Sequence, residues 1–210
     1  MGDSALAERL LEAARAREPE NAEVLVCYGS YLERKGNREE GIAFLERGLK
    51  ADPNNATAFS WLGNAYYASG NLLRARECYE ASIKIEGQGN GESYMGLAFV
   101  AGKEGKLEEE LEFWREAVSR MPHDAMAWYN LGNALSCAGE WRSAMRALRR
   151  SLRLGWEQPH LALYGMALSY LELGRLRAAR RFCTQALEAE PDFTLAMDLM
   201  QDIEAKAEER

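Results

Sequence analysis

One pattern constrains this chain more than any other property. Five stretches of 34 or 35 residues, 22–55, 56–90, 91–124, 125–159 and 160–193, follow one another and repeat a single arrangement of large, small and turn-forming residues. One column holds Leu25, Phe59, Tyr94, Trp128 and Leu163. The next holds Tyr28, Leu62, Leu97, Leu131 and Met166, with small residues beside it at Gly29, Gly63, Ala98, Gly132 and Ala167. A third reads Leu32, Tyr66, Ala101, Leu135 and Tyr170, and each run then meets a glycine: Gly36, Gly70, Gly105, Gly139, Gly174. A second run carries Gly41, Ala75, Glu110, Ala144 and Ala179, then Leu45, Tyr79, Trp114, Leu148 and Cys183. It continues with Gly48, Ser82, Ala117, Ser151 and Ala186, and a terminator column of Pro53, Gly87, Pro122, Trp156 and Pro191 closes it.

Apolar residues at three-to-four spacing over about 14 residues describe a helix face, not a strand. A glycine after such a run supplies the left-handed C-cap at which the chain reverses. Small columns let two helices approach closely, large columns fill the space between them, and proline ends the second helix. Each stretch is therefore a helix–turn–helix unit that cannot bury both apolar faces alone, and stacking on its neighbours buries them. The expectation is an all-α chain of about twelve helices without strands, folded as one domain over 1–210. Residues 1–21 form an N-terminal half-repeat whose helix spans 3–17, with Ala7, Leu11, Ala14 and Pro19 continuing the second-helix columns backwards. Residues 194–210 form a capping helix whose apolar residues are Leu195, Met197, Leu199, Met200 and Ile203.

The segment from Ala125, AMAWYNLGNALSCAGEWRSAMRALRRSL, resembles the tetratricopeptide repeat almost throughout, and AFSWLGNAYYASGNLLRARECYEASI from Ala58 is close behind. The resemblance covers residues 22–193. Departures are Glu110 in a small slot, Gly87 and Trp156 in place of proline, and one extra residue after each of those two. The resemblance implies a right-handed α-solenoid with capping helices at both ends. It also implies a concave groove, lined by the first helix of each repeat, that holds a peptide or segment of a partner protein. Carried over slot by slot, the lining is Glu23, Val26, Ser30, Glu33 and Arg34, then Thr57, Ser60, Asn64 and Tyr67 with Trp61 at the edge. Glu92, Met95, Phe99 and Lys103 follow, then Met126, Tyr129, Asn130, Asn133 and Ser136, and finally Leu161, Tyr164, Leu168 and Leu171. Met95, Phe99, Met126, Tyr129 and Tyr164 form an apolar stripe where solvent would be expected. Asn64, Asn130 and Asn133 carry amides able to bond a peptide backbone N–H and C=O together. The carboxylate clamp of chaperone-tail-binding members needs Lys, Arg and Asn in consecutive first helices. Val26, Ser30 and Met95 stand in those slots, so that mode is not expected.

Composition excludes several classes. With 26 basic and 33 acidic residues the net charge is −7, the wrong sign for a duplex nucleic-acid binder. No run approaches a membrane span, Met1–Leu10 has no apolar signal core, and Leu6 stands where myristoylation needs Ser or Thr. Cys27, Cys78, Cys137 and Cys183 show no paired spacing, and His123 and His160 lie in turn-like segments without neighbouring ligands. No catalytic residue, metal site or cofactor is expected, and the location expected is cytoplasmic. The stretch EGQGNGES at 86–93 follows a helix and not a strand, so it reads as an elongated turn and not a phosphate loop. Glu108–Glu110, with Glu104 and Glu112, read as a solvated helix face.

Charge is unevenly placed. Residues 1–124 carry 15 basic and 22 acidic groups, 125–193 carry 9 and 6, and 194–210 carry 2 and 5. Arg142, Arg146, Arg149, Arg150 and Arg153 load one second helix, and Arg175, Arg177, Arg180 and Arg181 the next. They read as a solvated outer wall, the alternative being a contact for an acidic partner or membrane phosphates; no aromatic in the sequence is interleaved with them, which weighs against RNA. The functional expectation is a non-enzymatic adaptor, monomeric, that binds a partner peptide or protein segment in its groove. The alternatives are a self-assembling or structural subunit of a secretion, pilus or organelle scaffold and, more remotely, the repeat region of a larger enzyme.

Overall fold

Stacked helices need a chain reversal after each one, and the glycine column supplies it. In a computed structural model describing residues 2–86 and 91–208 (2–5, 7 and 86 by backbone alone), Gly36, Gly70, Gly105, Gly139 and Gly174 have φ between 69° and 89°. An L-residue held there pays about 1–2 kcal/mol. Every regular element among the described residues is helical. The order is α1 (Gly2–Arg17), α2 (Ala22–Arg34), α3 (Arg38–Ala51), α4 (Ala56–Ala68), α5 (Leu72–Glu86) and α6 (Gly91–Lys103). It continues with α7 (Leu107–Arg120), α8 (Ala125–Cys137), α9 (Trp141–Arg153), α10 (Pro159–Glu172), α11 (Leu176–Ala189) and α12 (Thr194–Glu208). Residues 87–90 of the long turn, Gly87 of the terminator column among them, lie outside the described residues.

Side chains cap α2, α4 and α8 among the first helices and α5 among the second, where Asn71 accepts from the Arg74 amide at 3.2 Å. The side chain of Asn21 accepts from the amides of Glu23 and Val24, Asn55 from Ala58, and Asp124 from Ala127 at 2.7 Å. Each satisfies donors that a helix start leaves orphaned. α10 instead begins with Pro159, whose fixed φ suits the first turn.

The chain divides into two compact units, 1–104 and 105–210. In the first, α2 pairs with α3 and α4 with α5, α1 lies on α2, and α6 packs on α5 and α4. Its core is built around Leu25, Tyr28, Leu32 and Phe44, and around Val26, Leu45, Ala58 and Leu62. Tyr79 of α5 is 2% exposed and fills space that two glycines leave. A methyl at Gly63 of α4 would stand 2.5 Å from its ring, and one at Gly96 of α6 would fall on the ring itself. The Ser60 and Ser93 hydroxyls lie 2.6 Å apart, and Ser93 donates to Ser82 at 3.0 Å, so these buried small polar residues satisfy one another.

In the second unit α8 pairs with α9 and α10 with α11, α7 packs on α8, and α12 lies on α11 and α10. Leu148, Ala162 and Met166 form one cluster. Ala167, Leu171, Ala179, Cys183, Ala186, Ala196, Leu199 and Ile203 form another. α12 thus seals the last repeat, but through fewer of its apolar residues than expected: Leu195 is 54% and Met197 40% exposed, while Leu199 and Ile203 are buried.

Gly96→Ala should destabilise the protein by about 1–3 kcal/mol through overpacking against Tyr79. In a Tyr79→Leu background the same change should turn stabilising, because alanine's helix propensity exceeds glycine's by about 1 kcal/mol. Gly36→Ala, where φ is 89° and nothing lies within 4 Å, should cost the same in both backgrounds. Urea unfolding of the parent, Tyr79→Leu and the four glycine variants built on them reads both outcomes.

Candidate interaction surfaces

The residues expected to meet a ligand fall on α4 and α6 in the first unit and on α8 and α10 in the second. On α4, Asn64 is exposed, but its Oδ1 already accepts from the Tyr79 hydroxyl at 2.8 Å, which leaves its NH2 as the outward group. Tyr67 and Phe99 are half-buried and tilted against each other, ring centroids 6.2 Å apart. Burial pushes the Tyr67 phenol up from its ordinary value, so the hydroxyl stays a neutral donor across physiological pH. Met95 is half-buried on the same helix as Phe99.

On α8, Met126 is half-buried, and its carbonyl accepts from the Asn130 side-chain amide at 3.0 Å, a local bond that takes up one of the two Asn130 N–H donors. Tyr129 stacks on Trp156, ring centroids 5.0 Å apart and planes at 14°, and packs on the Leu148–Met166 cluster. Asn133 is half-buried and makes no hydrogen bond among the described residues, so its donor and acceptor are both uncommitted. On α10, Tyr164 meets Phe193 edge-on at 5.4 Å and is partly taken into the last core cluster. Burial, then Cys183, Asp198 and Asp202, push its phenol up.

Several residues carried over by slot do not reach solvent. Val26 is buried among Leu45, Ala58 and Leu62, Ser60 is closed within the serine chain, and Leu171 lies in the last core cluster. They sit at the inner edge of the first-helix face, where the neighbouring repeat covers them.

Trp128 departs in the opposite sense. Its column reads as core, yet only Leu25 is fully buried, and Phe59, Tyr94, Trp128 and Leu163 are half-buried. The Trp128 indole N–H donates to the Pro122 carbonyl at 3.1 Å. Its ring lines a hollow with Pro122, Arg146, Arg149, Arg150 and Arg153. An aromatic does lie among these arginines; it comes from a different helix, which the linear pattern hides. The Trp156 departure also gains a reason. Gly155, with φ 83°, makes the turn that proline would have set, and frees Trp156 to stack on Tyr129. Glu110, out of place in a small slot, accepts from the Trp114 indole at 3.2 Å.

Among the described residues no group of three His, Cys, Asp or Glu is placed to hold a metal ion, and no helix is long and apolar enough to cross a membrane. All four cysteines are free thiols, Cys27 and Cys137 exposed. Burial pushes the Cys78 thiol up to about 11, and the buried Cys183 turns its Sγ toward the Ala196 carbonyl at 3.0 Å.

The chain belongs to the tetratricopeptide-repeat family, whose model matches residues 1–56, 29–92 and 129–192. Tetratricopeptide repeat protein 8 of Caenorhabditis elegans is 27% identical over 136 residues, 64% of this chain and 27% of that one. This chain spans still less of other curated relatives it matches. Among solved structures, YrrB, a tetratricopeptide-repeat protein with an unusual peptide-binding site, superposes with a TM-score of 0.76 at 21% identity, over 91% of this chain and 97% of YrrB. Pseudomonas aeruginosa PilF gives 0.82 at 14% identity, over 98% and 90%. At those identities the likeness is one of fold.

Trp114, 1% exposed, is the tryptophan whose truncation should be severe: Trp114→Ala should cost about 3–5 kcal/mol. Trp128→Ala should cost at most about 2 kcal/mol in the same denaturation assay. Native protein should titrate two fast thiols with a disulfide reagent at pH 8, Cys27 and Cys137, and all four after unfolding. Fast reaction of Cys78 would contradict its burial.

Proposed function

We propose that this protein is a non-enzymatic interaction module, and that the first-helix face on α4–α6 and that on α8–α10 each take up an extended segment of a partner protein. The observation that carries this is the chemistry of those faces. Tyr67, Met95, Phe99, Met126 and Tyr129 keep part of their apolar surface in solvent on the faces where a groove-bound segment would lie. Asn133 supplies a free amide, and Asn64 an outward NH2, for hydrogen bonds to a peptide backbone. The likeness in fold to YrrB, a protein with a peptide-binding site, supports the same reading. Free thiols fit a reducing cytoplasm, and the acidic balance fits a protein partner better than a nucleic acid.

A second reading has its own observation. Leu6 and Leu10 on α1, and Leu195 and Met197 on α12, are large apolar residues exposed on the terminal helices. End-to-end association through them would make the chain a structural subunit. Sedimentation velocity across a hundredfold range of concentration separates the two: an adaptor stays monomeric, and a scaffold subunit grows.

A peptide selected from a displayed random library against the folded protein provides the binding test. Phe99→Ala should weaken that peptide by about 2 kcal/mol with little loss of stability. Asn133→Ala should weaken it by about 1 kcal/mol, to a similar extent for peptides of different sequence, since its partner is backbone. Tyr129 is a poorer probe, because losing its stack on Trp156 disturbs the fold as well. Selected peptides that bind both variants as tightly as the parent would place recognition elsewhere.

A further inference from the structure

We propose that the hollow between Trp128 and the arginine face of α9 is a second docking site, for an acidic protein segment that carries one large apolar side chain. The hollow has a volume of about 610 Å³ and is lined by Pro122, Trp128, Arg146, Arg149, Arg150 and Arg153. Spacings of three, four and seven residues put the four arginines on one side of α9. Arg146 donates only to the Ser143 hydroxyl at 3.1 Å, and Arg150 leans toward the Pro122 carbonyl at 3.5 Å. No carboxylate pairs with any of the four among the described residues.

The next arginine-rich helix shows what an answered charge looks like. Arg180 of α11 is paired with Glu204 of α12 at 2.9 Å. On α9 the like charges at three- and four-residue spacing repel, and nothing in the described chain offsets them. Guanidinium forks match carboxylates in geometry as well as in charge. Trp128 makes the site more than a charged patch. Its indole N–H is held by Pro122, so the ring stands as an apolar wall and, with the arginine stems, shapes a place for a side chain.

Charge and surface choose among the anions. A long polyanion such as RNA would meet a chain of net charge −7, with a single aromatic at this site, whereas a short acidic segment feels mainly the local arginines. A bilayer would need protruding apolar groups, and the exposed large ones, Leu6, Leu10, Leu73, Leu195 and Met197, are all absent from the hollow. The site shares no residue with the first-helix faces and does not rest on their assignment.

The test uses a fluorescein-labelled peptide of Glu and Asp with one central Phe, followed by anisotropy on the full chain. Arg149→Gln/Arg153→Gln, two exposed positions whose fold is checked by thermal melting, should weaken the peptide at least about tenfold. Trp128→Leu should weaken it several-fold, and replacing the peptide's Phe by Ser should lose the same factor with the parent protein and nothing further with Trp128→Leu. Arg177→Gln/Arg181→Gln on α11 should change nothing. The proposal is overturned if the parent does not bind, if the α9 double variant binds as well as the parent, or if the Phe makes no difference. It is equally overturned if an oligo-dT strand or phosphatidylserine vesicles engage the same arginines more tightly than the peptide does.

Discussion

Helices joined by short turns pack with their backbones close only where one of them gives up a side chain, and the whole chain is organised by how that space is refilled. Leu45, Tyr79 and Leu148 occupy the same position in three repeats. Each sits where a Cβ would otherwise stand on its own first helix: at Gly29, Gly63 and Gly132. Two of them reach further. Tyr79 also fills the space at Gly96, and Leu148 the space at Gly165, both on the first helix of the following repeat. One side chain therefore closes its own helix pair and docks the next, which is the physical content of nearest-neighbour stability in a repeat protein. The cost is rigidity of composition: these positions cannot grow without displacing a ring or a leucine.

That constraint also decides what was legible in the sequence. The large second-helix column reads correctly because all five members, Leu45, Tyr79, Trp114, Leu148 and Cys183, point into the space between helices and are buried. The glycine column reads correctly because it is a backbone requirement, independent of what surrounds it. The first column reads less well. Leu25 is buried, while Phe59, Tyr94, Trp128 and Leu163 stay half-buried, and helical period alone locates a face only to within about a hundred degrees.

The candidate surfaces show the same limit more sharply. That Asn64 is half spent depends on Tyr79, fifteen residues away on another helix. That Tyr129 is shielded depends on Trp156, which reads in sequence only as a missing proline. Asn130 and Asn133 lie on the same helix in the same sequence context, yet one bonds its own backbone and the other does not. Column arithmetic identifies which side chains can reach a face. Only packing shows which still have a donor or an apolar edge to offer.

The two surfaces proposed for this chain work by different physics. The first-helix faces offer aromatic and thioether surface with few charges, so their contribution follows buried area and is nearly indifferent to salt. The hollow on α9 draws on unpaired guanidinium groups at the protein surface, where attraction falls off over a Debye length of about 8 Å at physiological ionic strength. A partner that used both would be steered by the second and held by the first. The C-terminal helix makes the asymmetry possible. By setting Glu204 against Arg180 it neutralises part of α11 and leaves α9, one repeat earlier, as the concentrated positive charge on an otherwise acidic chain.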